Sequence, residues 1–425
     1  MTKLRTHMLF TFAPARLCIV VLFCFAAVIA APGQSVFFTT LANFDYANGT
    51  VPSGTLVQAT DGNFYGTTND SGANGVGTVF KVTAAGTLTT LHSFDGEDGA
   101  YPRSGVVQAS DGNFYGTTVV GGADGGGVVF KITPTGTLTV FYNFCSQPNC
   151  ADGDETRAGV VQGSDGNFYG TTFLGGADNS CPVWDGDGCG TAFKITPAGT
   201  LTTLYSFCAQ PNCADGANPY AGLVQGSDGN FYGTAQYGGN LGCDGSGYGC
   251  GTVFKITPSG TLTTLHTFAG PDGAGPYAAL VRGSDGDLYG TTSGGGTNNY
   301  GTVFKISSVG VLTTLYNFCS QPNCTDGSIP ENELVQASDG NFYGTIGGGG
   351  ANGGGTVFKI TSAGTLTTLY SFCSQPYCAD GGGPEAGLVQ ATDGNFYGTT
   401  TEGGTDGLGT VFRLGVVRTC ATCRP

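Results

Sequence analysis

The sequence predicts an all-β protein, a seven-bladed β-propeller of four-stranded blades. Three observations predict it: a glycine content too high for helices, a motif that recurs seven times, and a strand count that closes on itself. Of 425 residues, 77 are Gly and 40% are hydrophobic. Gly costs about 1 kcal/mol per helical position relative to Ala, whereas this hydrophobic fraction is enough to bury a core. The composition therefore favours a turn-rich β protein over helical, disordered or collagen-like chains.

The recurring motif is DGNFYG or a close variant, with a mean spacing of about 55 residues. A period near 50 residues is typical of propeller blades and is longer than most helical repeats. The motif begins seven times, at Asp61, Asp111, Asp165, Asp228, Asp285, Asp339 and Asp393.

Each repeat contains four short segments rich in β-branched and aromatic residues, separated by turns with Gly, Asp or Pro. We name them strands a to d in chain order. Examples are LVQ at 223–225, NFYGTT at 167–172, GTVFKI at 251–256 and TLTTLYSF at 200–207. An Asp-Gly turn joins strands a and b, which is a strong hairpin signal.

The strand count predicts a closed ring. Strands a, b and c occur seven times, but strand d follows only six of them, because the chain ends soon after Phe412. The missing copy is residues 37–44, whose sequence FFTTLANF resembles TLTTLYSF. We predict that this N-terminal strand completes the last blade. Ring closure protects sheet edges, and an open β-solenoid with the same period would leave the displaced strand unexplained.

These motifs resemble the Gloeo-Verruco ("GloVer", choice-of-anchor) tandem repeat over nearly all of residues 35–413. The DGN-aromatic turn is also similar to the blade turn of two-component-regulator propellers. The resemblance implies secreted bacterial proteins with one of several surface anchors and no established activity. Only about a dozen residues follow Phe412 and they include no hydrophobic tail, so we do not expect surface anchoring of that kind.

The N-terminus has the pattern of a secretory signal peptide. Lys3, Arg5 and Arg16 precede an apolar run at 17–30 that is short for a membrane span. We predict a signal peptide at 1–30, a propeller at 31–415 and a short tail at 416–425. Cleavage leaves 12 basic against 30 acidic residues, which disfavours nucleic acid as a partner. We expect a secreted, extracellular or cell-surface monomer with no membrane insertion after cleavage.

Length variation coincides with cysteine. In a propeller the d–a and b–c loops share one face, which we call the loop face, and here only these loops vary in length. Every inserted loop carries its own cysteine pair, which in a secreted chain predicts local disulfides rather than a metal site. A further pair, Cys420 and Cys423, lies in the tail and is predicted to form a terminal disulfide. The pairs predicted in the loops are Cys145/Cys150, Cys181/Cys189, Cys208/Cys213, Cys243/Cys250, Cys319/Cys324 and Cys373/Cys378.

The two inserted b–c loops, 181–189 and 243–250, hold the most distinctive side chains, and we call them the stapled loops. They carry the only Trp of the chain beside carboxylates and a Tyr, a combination suited to stacking on sugars or anchoring a protein. Arg282 interrupts a series of strand a glutamines that either line the channel or pack on a neighbouring strand. The predicted ligand-binding residues are Trp184, Asp185, Asp187, Asp244, Tyr248 and Arg282.

Other polar series favour structural roles. His92 and His266 occupy a strand d position held elsewhere by Tyr, which gives little support to a catalytic triad or a histidine metal site. The DGN aspartates are expected to cap the a–b turn and to pair with the strand c lysines. A second acidic series in the d–a loops favours turn formation. We predict no cofactor and no metal, with Ca²⁺ left open as a ligand of that series. The series comprises Asp98, Asp152, Asp215, Asp272, Asp326 and Asp380, with Asn48 as its seventh member.

Three functions fit these observations. The leading hypothesis is a secreted, non-catalytic propeller that binds a glycan or protein partner through the loop face. The rival is an extracellular polysaccharide hydrolase or lyase using a carboxylate pair such as Asp185/Asp187 or Asp187/Asp244, which would have to flank the substrate at a defined separation. The third is a structural cell-surface repeat protein without a soluble ligand.

Overall fold

The computed structural model describes residues 34–177, 181, 187–243 and 245–418. Within these residues, 28 strands form seven antiparallel sheets of four strands each, and residues 36–416 form one compact unit. The predicted seven-bladed propeller is therefore confirmed. The predicted signal peptide (1–30) lies outside the described residues. Cys420 and Cys423 also lie outside them, so the disulfide expected between Cys420 and Cys423 stays a prediction.

Blades 1 to 3 follow the predicted chain order a, b, c, d, and each strand lies within its predicted segment but is shorter than it. Blade 1 comprises Val57–Gln58, Phe64–Thr68, Thr78–Val82 and Leu88–Ser93. Blade 2 comprises Val107–Gln108, Phe114–Thr117, Val128–Ile132 and Leu138–Asn143. Blade 3 comprises Val161–Gln162, Phe168–Thr172, Thr191–Ile195 and Leu201–Ser206.

Blades 4 to 6 have the same order, and short 3-10 helices occur in the four cysteine-bearing d–a loops. Blade 4 comprises Val224–Gln225, Phe231–Ala235, Thr252–Ile256 and Leu262–Thr267. Blade 5 comprises Val281–Arg282, Leu288–Thr292, Thr302–Ile306 and Leu312–Asn317. Blade 6 comprises Val335–Gln336, Phe342–Ile346, Thr356–Ile360 and Leu366–Ser371. The 3-10 helices are Pro148–Cys150, Pro211–Cys213, Pro322–Cys324 and Pro376–Cys378. Among the described residues, no helix is long and apolar enough to cross a membrane.

Blade 7 combines the two ends of the chain. Its strands a and b are Val389–Gln390 and Phe396–Thr400, and its strand c, Thr410–Arg418, runs past the predicted domain end at residue 415. The fourth strand of this sheet is the N-terminal Gln34–Asn43, hydrogen-bonded to strand c. The displaced strand therefore closes the ring as predicted.

Aromatic side chains join neighbouring blades because the period-2 alternation of each strand turns them toward the adjacent sheet. In six of the seven joints, the strand b Tyr of one blade packs against the strand b Phe of the next, with ring centroids 3.9–4.2 Å apart. In the joint between blades 4 and 5, Leu288 replaces the Phe. The stacked pairs are Tyr65–Phe114, Tyr169–Phe231, Tyr289–Phe342, Tyr343–Phe396 and Tyr397–Phe64, and the Tyr115–Phe168 pair is tilted.

The DGN aspartates cap the a–b turns, as the sequence predicts. Asp61 Oδ1 accepts the Asn63 backbone N–H at 3.0 Å, and its Oδ2 accepts the Tyr65 hydroxyl at 2.9 Å. Burial alone would raise the pKa of Asp61, but the hydrogen bonds from Asn63 and Tyr65 outweigh it and lower this pKa. Strand c lysines pair with these turns, for example Lys131 with Asp111 at 2.8 Å and Lys305 with Asp287 at 2.9 Å.

The strand a glutamines bind the neighbouring blade. Of the two roles considered from the sequence, lining the channel or packing on a neighbouring strand, the structure shows the second. Gln108 Oε1 accepts the backbone N–H of Thr60 in the preceding blade at 2.9 Å. Bonds of this kind, 2.7–2.9 Å long, occur at six of the seven joints. Among the described residues, the joint between blades 4 and 5 lacks this bond because Arg282 replaces the Gln there. The other five donor–acceptor pairs are Ser110–Gln162, Ser164–Gln225, Ser284–Gln336, Ser338–Gln390 and Thr392–Gln58.

We expect Arg282→Gln to raise the free energy of unfolding by about 0.5–1.5 kcal/mol, because it restores the missing hydrogen bond to the Ser227 N–H. Urea unfolding of the variant and the wild type measures the change. Gln108→Arg, which removes a bond at another joint, should lower stability by a similar amount. An Arg282→Gln variant no more stable than the wild type would show that the glutamine bonds do not contribute to blade cohesion.

Candidate functional site

The loop face is held by hydrogen bonds and disulfides around the d–a loops. In each blade the d–a loop pairs with the b–c loop through an isolated bridge, for example Asp154 with Leu174. The predicted disulfides that lie fully within the described residues and are bonded in the structure are Cys145–Cys150, Cys208–Cys213, Cys243–Cys250, Cys319–Cys324 and Cys373–Cys378. The sequence prediction of local disulfides is confirmed at these five loops.

The second acidic series orders the same loops. Asp152 is fully buried and accepts the Tyr142 hydroxyl at 2.8 Å and the backbone N–H groups of Ser146 and Gln147 at 3.1 Å each. His92 contacts Asp98 at 2.6 Å in the position where other blades have a Tyr–Asp pair. These contacts give the series and the two propeller histidines a structural role, as expected from their interchange with Tyr.

The predicted binding residues are divided between the two faces. Tyr248 is 43% exposed on its stapled loop and Asp187 is exposed, whereas Trp184, Asp185 and Asp244 lie outside the described residues. Arg282 ends its strand a, and that end adjoins the a–b turns on the face opposite to the loop face. Arg282 therefore does not join a patch formed by the stapled loops, since the direction of strand a carries it away from them.

The cysteine pair of the first stapled loop has a defined environment. Cys181 and Cys189 are both buried, and Cys181 Sγ lies 3.1 Å from Asn218 Oδ1. Cys189 Sγ lies close to the Cys208 and Cys213 sulfurs. The Cys181–Cys189 bond stays a prediction.

A cavity of about 480 Å³ lies at the centre of the ring, lined by the segments that lead into strand a of all seven blades. This volume is in the range of small-molecule sites. Each blade contributes one residue at an equivalent position, four before the strand a Val, and we call these seven the mouth residues. They are Ser53, Arg103, Arg157, Tyr220, Tyr277, Glu331 and Glu385.

The mouth residues differ in chemistry although the segments around them repeat. Blades 2 and 3 contribute Arg, blades 4 and 5 Tyr, and blades 6 and 7 Glu, with Ser53 in blade 1. A residue needed only for folding would be the same in each blade of a repeat. The variation therefore marks this position as the candidate functional site.

Aromatic rings connect the mouth to the stapled loop of blade 4. Tyr220 and Tyr277 meet edge-to-face at 4.9 Å, and Tyr277 is hydrogen-bonded to Tyr237. Tyr237 in turn lies 6.0 Å from Tyr248, and on the other side Phe173 lies 5.8 Å from Tyr220. We call these five residues the aromatic arc. Through Tyr248, the arc joins one residue predicted from sequence to the mouth.

The two mouth arginines have different environments. The Arg157 guanidinium stacks on Phe173 at 3.6 Å and donates to Glu155 Oε2 through Nε at 3.1 Å and Nη2 at 2.6 Å. Arg103 lies 5.7 Å from the Tyr220 ring centroid, and no described carboxylate lies within 4 Å of its guanidinium. Arg157 is thus held in place, whereas Arg103 keeps its charge available to a ligand.

The opposite side of the cavity is acidic. Glu331 and Glu385 are exposed to solvent in the cavity. Partial desolvation by the surrounding protein raises the pKa of both, and a second carboxylate near each of them raises it further. The positive charge of Arg103 lowers the pKa of both and only partly offsets these effects. Burial likewise raises the pKa of Glu333, whose side chain is hydrogen-bonded to Thr55. A cation close to these three carboxyl groups of blades 6 and 7 would stabilise their charged form.

The Gloeobacter/Verrucomicrobia repeat matches the chain over four overlapping segments, residues 28–184, 107–248, 146–336 and 242–422. Together these matches run from residue 28 to residue 422 and include all seven blades. No curated protein matches the sequence.

Solved structures share the fold at low sequence identity. Virginiamycin B lyase from Staphylococcus aureus is similar with a TM-score of 0.56 and 14% identity, over 91% of this chain and 100% of that one. The extracellular domain of a protein described as a hybrid two-component system, from B. thetaiotaomicron, is similar with a TM-score of 0.56 and 11% identity, over 88% of this chain and 39% of that one. At these identities the similarity shows the fold alone.

Proposed function

The chain belongs to the Gloeobacter/Verrucomicrobia repeat family, and from this premise we propose that it is a secreted, non-catalytic binding protein. Its ligand, a glycan or a segment of a protein partner, contacts the loop face and enters the axial cavity. The observation that carries this proposal is the set of seven mouth residues, which differ in chemistry within an otherwise uniform repeat.

The aromatic arc supports a binding role. Rigid aromatic side chains give a large contact area at low entropic cost, and they are common anchors of binding sites. Tyr220 and Tyr277 lie at the mouth, and Tyr248 extends the same arc to the stapled loop, where Trp184 of the adjacent stapled loop is predicted to add to it. The five disulfides support a protein that works in an oxidising, extracellular compartment.

The double variant Tyr220→Ala/Tyr248→Ala is expected to weaken binding at least about tenfold, since it removes two aromatic anchors. Glycan arrays and peptide arrays probed with the purified protein identify the ligand, and calorimetry then compares the variants. Tyr377→Ala is the matched control, because Tyr377 is 99% exposed on another loop of the same face and has no place in the arc. Equal affinity of the double variant and the control would refute the proposed site.

A second candidate function is polysaccharide cleavage, which one observation favours. Glu331 and Glu385 are adjacent mouth residues with raised pKa values, and a carboxyl group with a raised pKa suits a general acid. A panel of polysaccharides assayed for new reducing ends and unsaturated products distinguishes the two functions. Activity that Glu331→Gln abolishes would establish the enzyme, and binding without turnover supports the proposed binding protein. The third candidate, a purely structural surface protein, requires that no soluble ligand binds.

A further inference from the structure

We propose that the axial cavity selects a zwitterionic ligand of amino-acid or dipeptide size. Its carboxylate lies against Arg103, its ammonium group lies against Glu331 and Glu385, and its side chain lies along the aromatic arc. This inference rests on the proposed binding function of the axial cavity and assigns to that cavity a small zwitterion instead of a glycan or a protein segment.

The order of blades around the axis separates the two charges. Arg103 and Arg157 belong to blades 2 and 3, and Glu331 and Glu385 belong to blades 6 and 7. In a ring of seven, these two pairs are nearly opposite. The tyrosines of blades 4 and 5 fill the longer interval between them, and Ser53 of blade 1 fills the shorter one. The cavity is therefore positive at one side, negative at the other and aromatic between.

The charges at both ends lack close protein partners. No described carboxylate lies within 4 Å of the Arg103 guanidinium, and no described Lys, Arg or His lies within that distance of the Glu331 or Glu385 carboxylates. Arg103 influences both glutamates, but only at longer range. Each end thus offers charge-assisted hydrogen bonds that the protein itself does not use.

A zwitterion satisfies this arrangement better than a sugar does. A neutral sugar would desolvate both charged ends without pairing either of them, which costs free energy. An acidic sugar would pair Arg103 but bring its carboxylate into a cavity with three glutamate side chains, Glu331, Glu333 and Glu385. Only a ligand with both charges compensates both ends.

The size and the aromatic wall fit the same ligand class. A cavity of about 480 Å³ accommodates a small molecule rather than a folded partner. The Tyr220–Tyr277 pair lines the cavity and forms an apolar surface beside the charged groups. A dipeptide with one apolar side chain can therefore contact the arc while its termini reach Arg103 and the glutamates.

Calorimetry with free dipeptides, including Gly-Phe and Phe-Gly, tests this inference. We expect a dipeptide of this panel to bind, and both N-acetylation and C-amidation to weaken its binding at least about tenfold, since each removes one charge-assisted pair. Arg103→Gln should bind the free and the amidated dipeptide equally. Glu331→Gln/Glu385→Gln should bind the free and the acetylated dipeptide equally. Thermal unfolding of each variant, expected to match the wild type, verifies that the propeller is intact.

Two results would overturn the inference. One is the absence of dipeptide binding with a Kd below about 1 mM; the other is equal binding of the free, acetylated and amidated forms. An oligosaccharide that binds the wild type but not the Tyr220→Ala/Tyr248→Ala variant would refute the zwitterionic ligand class and still support the proposed binding function. A ligand whose affinity is the same for the wild type and for all of these variants would refute both the zwitterionic ligand class and the proposed binding site.

Discussion

Replacing Phe44 by alanine is expected to lower the free energy of unfolding by about 3–5 kcal/mol. Phe44 follows the N-terminal strand of blade 7, is fully buried, and packs against Phe80 of blade 1 with ring centroids 5.1 Å apart. Its backbone N–H also donates to the Gly409 carbonyl at 3.0 Å. Truncation leaves a cavity at the joint where the two ends of the chain meet, and urea unfolding measures the loss.

Phe37→Ala is the matched control for this prediction. Phe37 belongs to the same strand but is 61% exposed, so its removal should change the stability by no more than about 0.5 kcal/mol. Equal stabilities of Phe44→Ala and Phe37→Ala would contradict closure of the ring by the N-terminal strand.

Replacing Asp152 by alanine is expected to cost about 3 kcal/mol of stability. The carboxylate is fully buried and accepts hydrogen bonds from Tyr142, Ser146 and Gln147. Its removal leaves these donors without an acceptor, and each unsatisfied buried group costs about 1–3 kcal/mol, part of which water can recover. Thermal and urea unfolding measure the effect.

Asp124→Ala controls for the loss of one negative charge, because Asp124 is exposed in the b–c loop of blade 2. That variant should retain wild-type stability. Asp152→Asn should be intermediate, since the amide oxygen keeps part of the acceptor capacity. Should Asp152→Ala be as stable as Asp124→Ala, the acidic series of the d–a loops would have no structural role.

The fold could be predicted from sequence because the repeat encodes it in several independent ways. The DGN turn and the alternating strands define a blade, and the position of the 37–44 segment before the first repeat defines the closure. The structure confirms each of these through local contacts such as the Asp61 cap and the pairing of Gln34–Asn43 with the last strand c. Contacts of this kind form within one repeat or between neighbouring repeats, so they can be predicted without knowing which distant residues come together.

The site was predicted only in part, because its residues are far apart in sequence. The stapled loops can be identified from the sequence because they are insertions in the repeat. One residue predicted there, Tyr248, belongs to the aromatic arc. The mouth residues lie in short segments of constant length, and only the ring brings Arg103 and Glu385 to one cavity. A comparison of the seven repeats at that single position, where charge changes from blade to blade, is the signal that would have found them.

Arg282 lies away from the stapled loops, and its predicted role in ligand binding stays a prediction. It stands out in sequence because it replaces a repeated glutamine, but the glutamines bind neighbouring turns on the face opposite to the loop face. Its departure from the repeat therefore affects a joint between blades rather than the predicted ligand patch. A departure from the repeat indicates function only where the position reaches a cavity or an open surface.

The most direct test of the account is to block the mouth chemically. Ser53 is the small, uncharged mouth residue outside the aromatic arc. Ser53→Cys, labelled with a bulky maleimide, should lose binding of the ligand identified in the array and dipeptide screens. The same label on Ser110→Cys, at an exposed a–b turn of the opposite face, should leave binding intact, as should treatment of the wild type. Undiminished binding by the labelled Ser53→Cys protein would contradict the axial mouth as the binding site.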